Sequence, residues 1–220
     1  MRRQGVDEQA WRVSAHYKKG AQPVTSRVTL ISAATSRALR EARFDDGCSL
    51  DASAAARARA AAGALPAADR LLVSPTVRCR ETAKALGLDA FEAPELARLD
   101  VGRWRGLTLD EVSAEDPAGI ALWLSDLGTA PHGGESVRAL CERVARWLDA
   151  SAEFDGRTLA VVEPEVVRAV AVKILDAPGS AFWRLDVPPL TATDVSGRSG
   201  RWNLRLGRAL GSPAEDDAGG

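Results

Sequence analysis

The residues Ser74-Pro75-Thr76-Val77-Arg78-Cys79-Arg80-Glu81-Thr82-Ala83 directly follow an apolar run, Leu71-Leu72-Val73. A strand that breaks at Ser-Pro and turns into a helix points backbone N–H groups and an arginine outward at the carboxyl edge of a sheet. That is a place to hold an anion. Ser32, Thr35, Ser36 and Arg40 follow a second apolar run and are candidates to line the same cavity. Their hydroxyls offer hydrogen bonds to a ligand, but none has the Ser-His-Asp company that a nucleophile needs. Cys79 has no base among its neighbours and reads as buried filler. The two histidines, His16 and His132, lie far apart, and no carboxylate cluster accompanies them. No metal site is therefore expected, and no Gly-rich nucleotide loop appears. No cofactor is expected.

The elements that must position these residues alternate between strand and helix. Val28–Ala33, Arg70–Val73 and Leu159–Val162 read as buried strands. Leu50–Leu65, Pro75–Leu86, Glu135–Leu148 and Pro164–Leu175 read as helices. Val137, Leu140, Cys141, Val144 and Leu148 form the amphipathic stripe of the third of these. Leu107–Ser125 carries one or two helices interrupted at Pro117. Thr191–Ser196 and Trp202–Leu206 form a terminal hairpin around Ser196–Gly200. The alternation predicts a three-layer α/β/α sandwich on a mostly parallel mixed sheet. Residues 1–26 read as an extension anchored by Trp11 and Tyr17, and 207–220 as a disordered tail.

The composition narrows the partners. The chain has 220 residues, enough for one α/β domain with a sizeable core. Twenty-nine basic and thirty acidic residues nearly cancel, so no field recruits nucleic acid or an anionic membrane. No apolar run reaches membrane-spanning length, and no signal-peptide core follows the first residues. Three widely spaced cysteines do not look like a disulfide framework, which makes the cytoplasm the default location. Ala- and Arg-rich usage suggests a GC-rich bacterial genome. A small-molecule metabolite is the expected partner, and the N-terminal extension is a candidate docking arm for a protein.

The Ser74–Ala83 stretch resembles the S-P-x-x-R-x-x-x-T-A signature of the histidine phosphatase superfamily, the phosphoglycerate mutase-like proteins. Leu96–Gly106 is similar to the family's L-x-E-x-D-x-G-x-W-x-G segment, with Asp100, Gly102, Trp104 and Gly106 in register. Pro131–Ser136 is similar to its P-x-G-E-S turn, and Val161–Arg168 tracks the strand and helix that normally carry a second histidine. Trp183–Asp186 and the hairpin complete a match over roughly residues 28–206. The resemblance implies a fold, and also a missing reaction centre. The triplet that would carry the nucleophilic histidine falls on Ser32-Ala33-Ala34, so Ala33 stands at the nucleophile and Ser32 at the first arginine. Glu163 stands at the second histidine and Arg98 at the general acid. Arg78 alone of the core constellation survives.

Alanine cannot attack phosphorus, and losing a covalent nucleophile can cost about a million-fold in turnover. Glu163 would face the place of a phosphate dianion. Opposed unit charges ~4 Å apart repel by about 4 kcal/mol at an effective dielectric near 20. Ordinary phosphatase activity is therefore not expected. Glu163 is the candidate base or an ion-pair partner that closes the site on Arg78 and Arg98. If the site stays open, the arginines grip a carboxylate. His132 has a loop that borders the family pocket, where it would bind ligand, move protons or serve only the loop. Glu135 and Ser136 lie beside it as ligand candidates or as a helix cap. Trp104 and Trp183 are core or cavity wall. Two main readings follow. One is a repurposed protein that binds a small carboxylated or polar metabolite and transforms it by acid–base chemistry such as elimination, isomerisation or cyclisation. The other is a noncatalytic pseudoenzyme acting as a binding or scaffold subunit. A phosphatase with an unorthodox nucleophile is a distant third.

Overall fold

Alternation along Val28-Thr29-Leu30-Ile31 sends Val28 and Leu30 to one face of a sheet and Ile31 to the other, as a pleated strand requires. This strand is β1 (Ser26–Ser32). The computed structural model describes residues 25–44, 47–198 and 201–210. The expected N-terminal extension, with Trp11, His16 and Tyr17, lies almost wholly outside the described residues. After β1 come α1 (Arg37–Arg40), α2 (Ala52–Ala61), β2 (Arg70–Val73), α3 (Val77–Ala85) and β3 (Phe91–Glu92). The chain continues with α4 (Leu109–Glu115), α5 (Pro117–Ser125), α6 (Val137–Ser151), β4 (Arg157–Val162) and α7 (Pro164–Ile174). It closes with the hairpin β5 (Thr191–Arg198) and β6 (Arg201–Ala209).

The sheet order is β3-β2-β4-β1-β5-β6. The pairs β1–β4, β2–β4 and β2–β3 are parallel, whereas β5 runs antiparallel to both β1 and β6. One face carries α6 and α7, packed through Leu140, Val144, Val166 and Val170 onto Val28, Leu30, Ala160 and Val162. The other carries α2 and α3, where Ala54, Ala58, Cys79 and Ala83 meet Ile31, Leu159 and Val161. The small side chains of α2 let that helix lie close to the sheet. This is the expected three-layer sandwich on a mixed, mostly parallel sheet.

Two details differ from the sequence reading. Residues 207–209 extend β6, with Thr191 opposite Ala209 and Ala192 opposite Arg208. Gly207 takes φ +76° there, a value that costs glycine nothing. Leu210 continues the pairing, its N–H donating to Leu190 O at 3.0 Å, and residues 211–220 of the expected tail lie outside the described residues. The helix expected from Pro75 begins at Val77, because Thr76 is its N-cap and accepts the Cys79 N–H at 3.2 Å.

Candidate ligand-binding site at the carboxyl edge of the sheet

The three central parallel strands end level. Ser32 is opposite Val162, and Val73 is opposite Val161. The next amides continue the ladder, Ala33 N–H donating to Val162 O at 3.0 Å and Ser74 N–H to Val161 O at 2.9 Å. Ala33, Ser74 and Glu163 therefore leave the sheet along one edge, where α/β sheets place their ligands. Thr82 of the S-P-x-x-R-x-x-x-T-A stretch ties two of these exits together. Its hydroxyl donates to Arg78 O at 2.7 Å and accepts the Ala34 N–H at 3.1 Å.

Glu163 is the N-cap of α7 but makes no side-chain cap bond to that helix. Its carboxylate is turned the other way. Oε2 pairs with the Arg78 guanidinium, and Oε1 accepts the Thr76 hydroxyl at 2.8 Å. Both members are buried, with side-chain exposures of 8% for Arg78 and 3% for Glu163. The arginine of the Ser-Pro stretch is thus held by an anion of the protein itself.

Above this pair lies a cavity of about 450 Å³. Glu163, Arg78, Arg98, Arg168 and Ser36 contribute polar groups to it, and Phe44, Leu99, Trp123, Phe182 and Trp183 much of the apolar wall. Arg168 Nε donates to Leu185 O at 2.8 Å, which fixes the guanidinium beside Phe182. Glu165 accepts the Leu99 N–H at 3.3 Å and so ties α7 to the segment that carries Arg98. Arg143 holds that segment from the other side. It donates to Glu95 O and Ala97 O at 2.7 and 3.1 Å, and its guanidinium forks onto both oxygens of Glu135 at 3.0 and 2.7 Å.

Several expected site residues have other partners. The Ser32 hydroxyl is turned to the β5 approach, within 2.6 Å of Pro188 O and accepting the Thr191 N–H at 3.0 Å. It does not line the cavity, and neither do Thr35 and Arg40. Arg40 pairs with Asp51 at 2.5 Å on the surface; α1 points it outward. Ala33 is buried at 1% exposure. Glu135 is the Arg143 partner, and Ser136 caps α6 by accepting the Ala139 N–H at 3.1 Å. Both shape the loop under the site and do not face the cavity.

His132 is buried at 1% exposure behind the cavity wall, 4.9 Å from the Trp104 ring and 6.2 Å from Trp123. Its Nδ1 accepts the Gly134 N–H at 3.1 Å, which places the proton of the neutral ring on Nε2. Burial pushes its pKa down; Asp100 opposes the shift and Arg103 adds to it. His132 therefore serves the loop, and it does not line the cavity. Gly102 makes this packing possible. At φ +47° its missing side chain leaves room for the His132 carbonyl, with which a Cβ would clash. Trp104 is core at 2% exposure, and Trp183 is cavity wall.

Sequence reasoning missed Thr76, Arg168, Phe44, Trp123 and Phe182. The first two stand inside quoted motifs, but their partners are tertiary. Among the described residues no group of His, Cys, Asp and Glu is arranged to hold a metal ion. No helix among them is long and apolar enough to cross a membrane.

The profile of the histidine phosphatase superfamily (branch 1) matches residues 32–208. The chain belongs to this superfamily. A glucosyl-3-phosphoglycerate phosphatase of Mycolicibacterium vanbaalenii is 29% identical over 180 residues, spanning 66% of this chain and 76% of its own. A bifunctional protein of Mycobacterium tuberculosis is 34% identical over 118 residues, which is 51% of this chain but 32% of that protein. The chain thus spans about a third of the length of the first curated relatives it matches. Among solved structures, a mycobacterial glucosyl-3-phosphoglycerate phosphatase with VO3 superposes with a TM-score of 0.71 at 24% identity, covering 84% of this chain and 99% of that one. A putative alpha-ribazole-5'-P phosphatase of Escherichia coli gives 0.75 at 23%, covering 86% and 99%. These superpositions support the superfamily fold.

Proposed function

We propose that this member of the superfamily does not transfer phosphoryl groups and uses the cavity over Arg78 and Glu163 to bind a small carboxylated or polar metabolite. The relatives are named phosphatases, so phosphate-ester hydrolysis is the reading to be displaced. The observation that carries the proposal is the buried Arg78–Glu163 pair. A dianion entering the site would have to displace a carboxylate already held by a guanidinium and the Thr76 hydroxyl. Ala33, at the nucleophile's place, offers no lone pair to phosphorus.

The binding reading is favoured over acid–base catalysis by the same geometry. Both oxygens of Glu163 are engaged, so proton abstraction would first require the pair to part. The catalytic reading retains one observation in its favour, that Glu163 itself lines the cavity. The test is a thermal-shift screen of wild type and Glu163→Gln against phosphate esters, carboxylates and amines, run beside a phosphatase assay. Stabilisation of wild type by carboxylates, without hydrolysis of phosphate esters, is expected. Turnover of a phosphate ester by purified wild type would overturn the proposal. Turnover of a carboxylate that Glu163→Gln abolishes would establish the catalytic reading instead.

A further inference from the structure

Of the chain's eleven aromatic residues, four line this one cavity: Phe44, Trp123, Phe182 and Trp183. They form a connected wall. Trp123 and Trp183 stand edge to face with centroids 4.4 Å apart, Phe182 meets Trp183 at 5.0 Å, and Phe44 meets Trp123 at 5.9 Å. Leu99, Val101 and Val187 continue the apolar surface. We infer that the ligand is an aromatic monocarboxylate, its ring system against the Trp123–Trp183 wall and its carboxylate toward Arg98 and Arg168. The inference rests on the binding reading above and names its ligand class.

Two observations carry it. Aromatic walls favour flat, polarisable rings, which gain edge-to-face contacts beyond the area they bury. Charge sets the number of anionic groups. Four arginines and three acids, Glu163, Glu165 and Asp186, line the cavity. The formal excess is one positive charge, and Arg43 shares part of its own outside with Glu41 at 3.5 Å and Glu111 at 3.6 Å. A ligand with a second negative charge, such as a phosphate dianion, would carry more than the lining balances.

The experiment titrates the full chain with 2-naphthoate, octanoate and 2-naphthyl phosphate by calorimetry, in wild type, Trp183→Leu and Trp183→Phe. Trp183 is half-buried, and the Phe variant keeps a ring in place if the Leu variant fails to fold. The expected result is preferred binding of 2-naphthoate, weakened about tenfold by Trp183→Leu and largely kept by Trp183→Phe. Octanoate binding as tightly as 2-naphthoate, or weakening as severe in the Phe variant as in the Leu variant, would overturn the aromatic assignment while leaving the carboxylate site standing. Tighter binding of 2-naphthyl phosphate than of 2-naphthoate would overturn the binding reading beneath it. No binding of any probe at millimolar concentration would overturn both.

Discussion

Replacing Glu163 by Gln keeps the shape of the side chain and an acceptor for the Thr76 hydroxyl, and removes one charge. Arg78 is left as a buried cation, its side chain 8% exposed, facing a neutral amide. Breaking a buried pair by removing one partner costs about 3–5 kcal/mol, and the retained amide oxygen puts this change near the lower figure. A chain of this size loses roughly 2–4 °C of Tm per kcal/mol, so a fall of about 6–12 °C is expected. Replacing both partners, as Arg78→Leu/Glu163→Leu, should recover much of the loss, because it removes the stranded charge along with the pair. The variant should also respond to inorganic phosphate. With the internal carboxylate gone, a repulsion of about 4 kcal/mol at ~4 Å and an effective dielectric near 20 disappears. Millimolar phosphate should then raise the Tm of Glu163→Gln and leave wild type unmoved. The assay is thermal unfolding with and without phosphate, checked by urea denaturation. A Glu163→Gln protein as stable as wild type, with an identical phosphate response, would refute the claim that this pair holds the site.

Three further outcomes follow from the surrounding packing. The His132 pKa lies below 6.5 in the fold because burial disfavours the imidazolium, so the unfolded chain takes up the proton first. Its contribution is full above pH ~6.5 and is lost as pH falls through the folded pKa; His132→Phe should flatten that slope in urea titrations between pH 7 and 5. Gly102→Ala combines φ +47° with a clash on the His132 carbonyl and should destabilise by about 2–4 kcal/mol, read as a lowered urea midpoint. Burial pushes the Cys79 thiol up to about 12 and the Cys141 thiol up to about 11. Iodoacetamide at pH 8 should therefore label half-exposed Cys48 first and Cys79 only after unfolding, as peptide mass mapping would show.

The fold was legible where hydrophobic period and turn chemistry agreed. Arg70–Val73 and the break at Asp116–Pro117 came out at the expected residues, since a buried run and a proline are local facts. The two-residue strand β3 carries no alternation and exposes both its side chains, and α1 is only four residues long, so neither left a pattern to find. The site was half legible. Arg78 and Glu163 meet because the ends of β2 and β4 are level in the sheet, and motif order specifies those ends; Arg98 joins them from the loop after β3, which Glu165 and Arg143 brace. Ser32 reads as a pocket hydroxyl from its position after β1. Its orientation is decided by Pro188 and Thr191, more than 150 residues away. The aromatic wall was illegible for the same reason. Phe44 follows α1, Trp123 sits on α5, and Phe182 and Trp183 precede β5, so only the tertiary fold brings them together.

The open space over the Arg78–Glu163 pair and the bracing around it argue for a working cavity over a filled one. Glu163 satisfies Arg78 and would suffice to stabilise a scaffold whose site had closed. Closure would also be expected to bring large side chains in over the pair, yet about 450 Å³ stays open. The loops around that space are held in detail. Arg143 makes bonds to Glu135, Glu95 and Ala97, Glu165 bonds to Leu99, and Gly102 and Gly134 allow the His132 loop to pack against the segment at Asp100. These contacts fix the segment carrying Arg98, which also seats Leu96, Leu99 and Val101 in the core. A subunit used only for its outer surface has no need of an open, aromatic-walled space or of a braced arginine beside it. Removing the brace should separate the two cases. Arg143→Met should weaken carboxylate binding if the cavity works, with only a modest loss of stability, because the side chain is about one-fifth exposed. If the chain is a scaffold alone, the same substitution would lower stability without changing any ligand response.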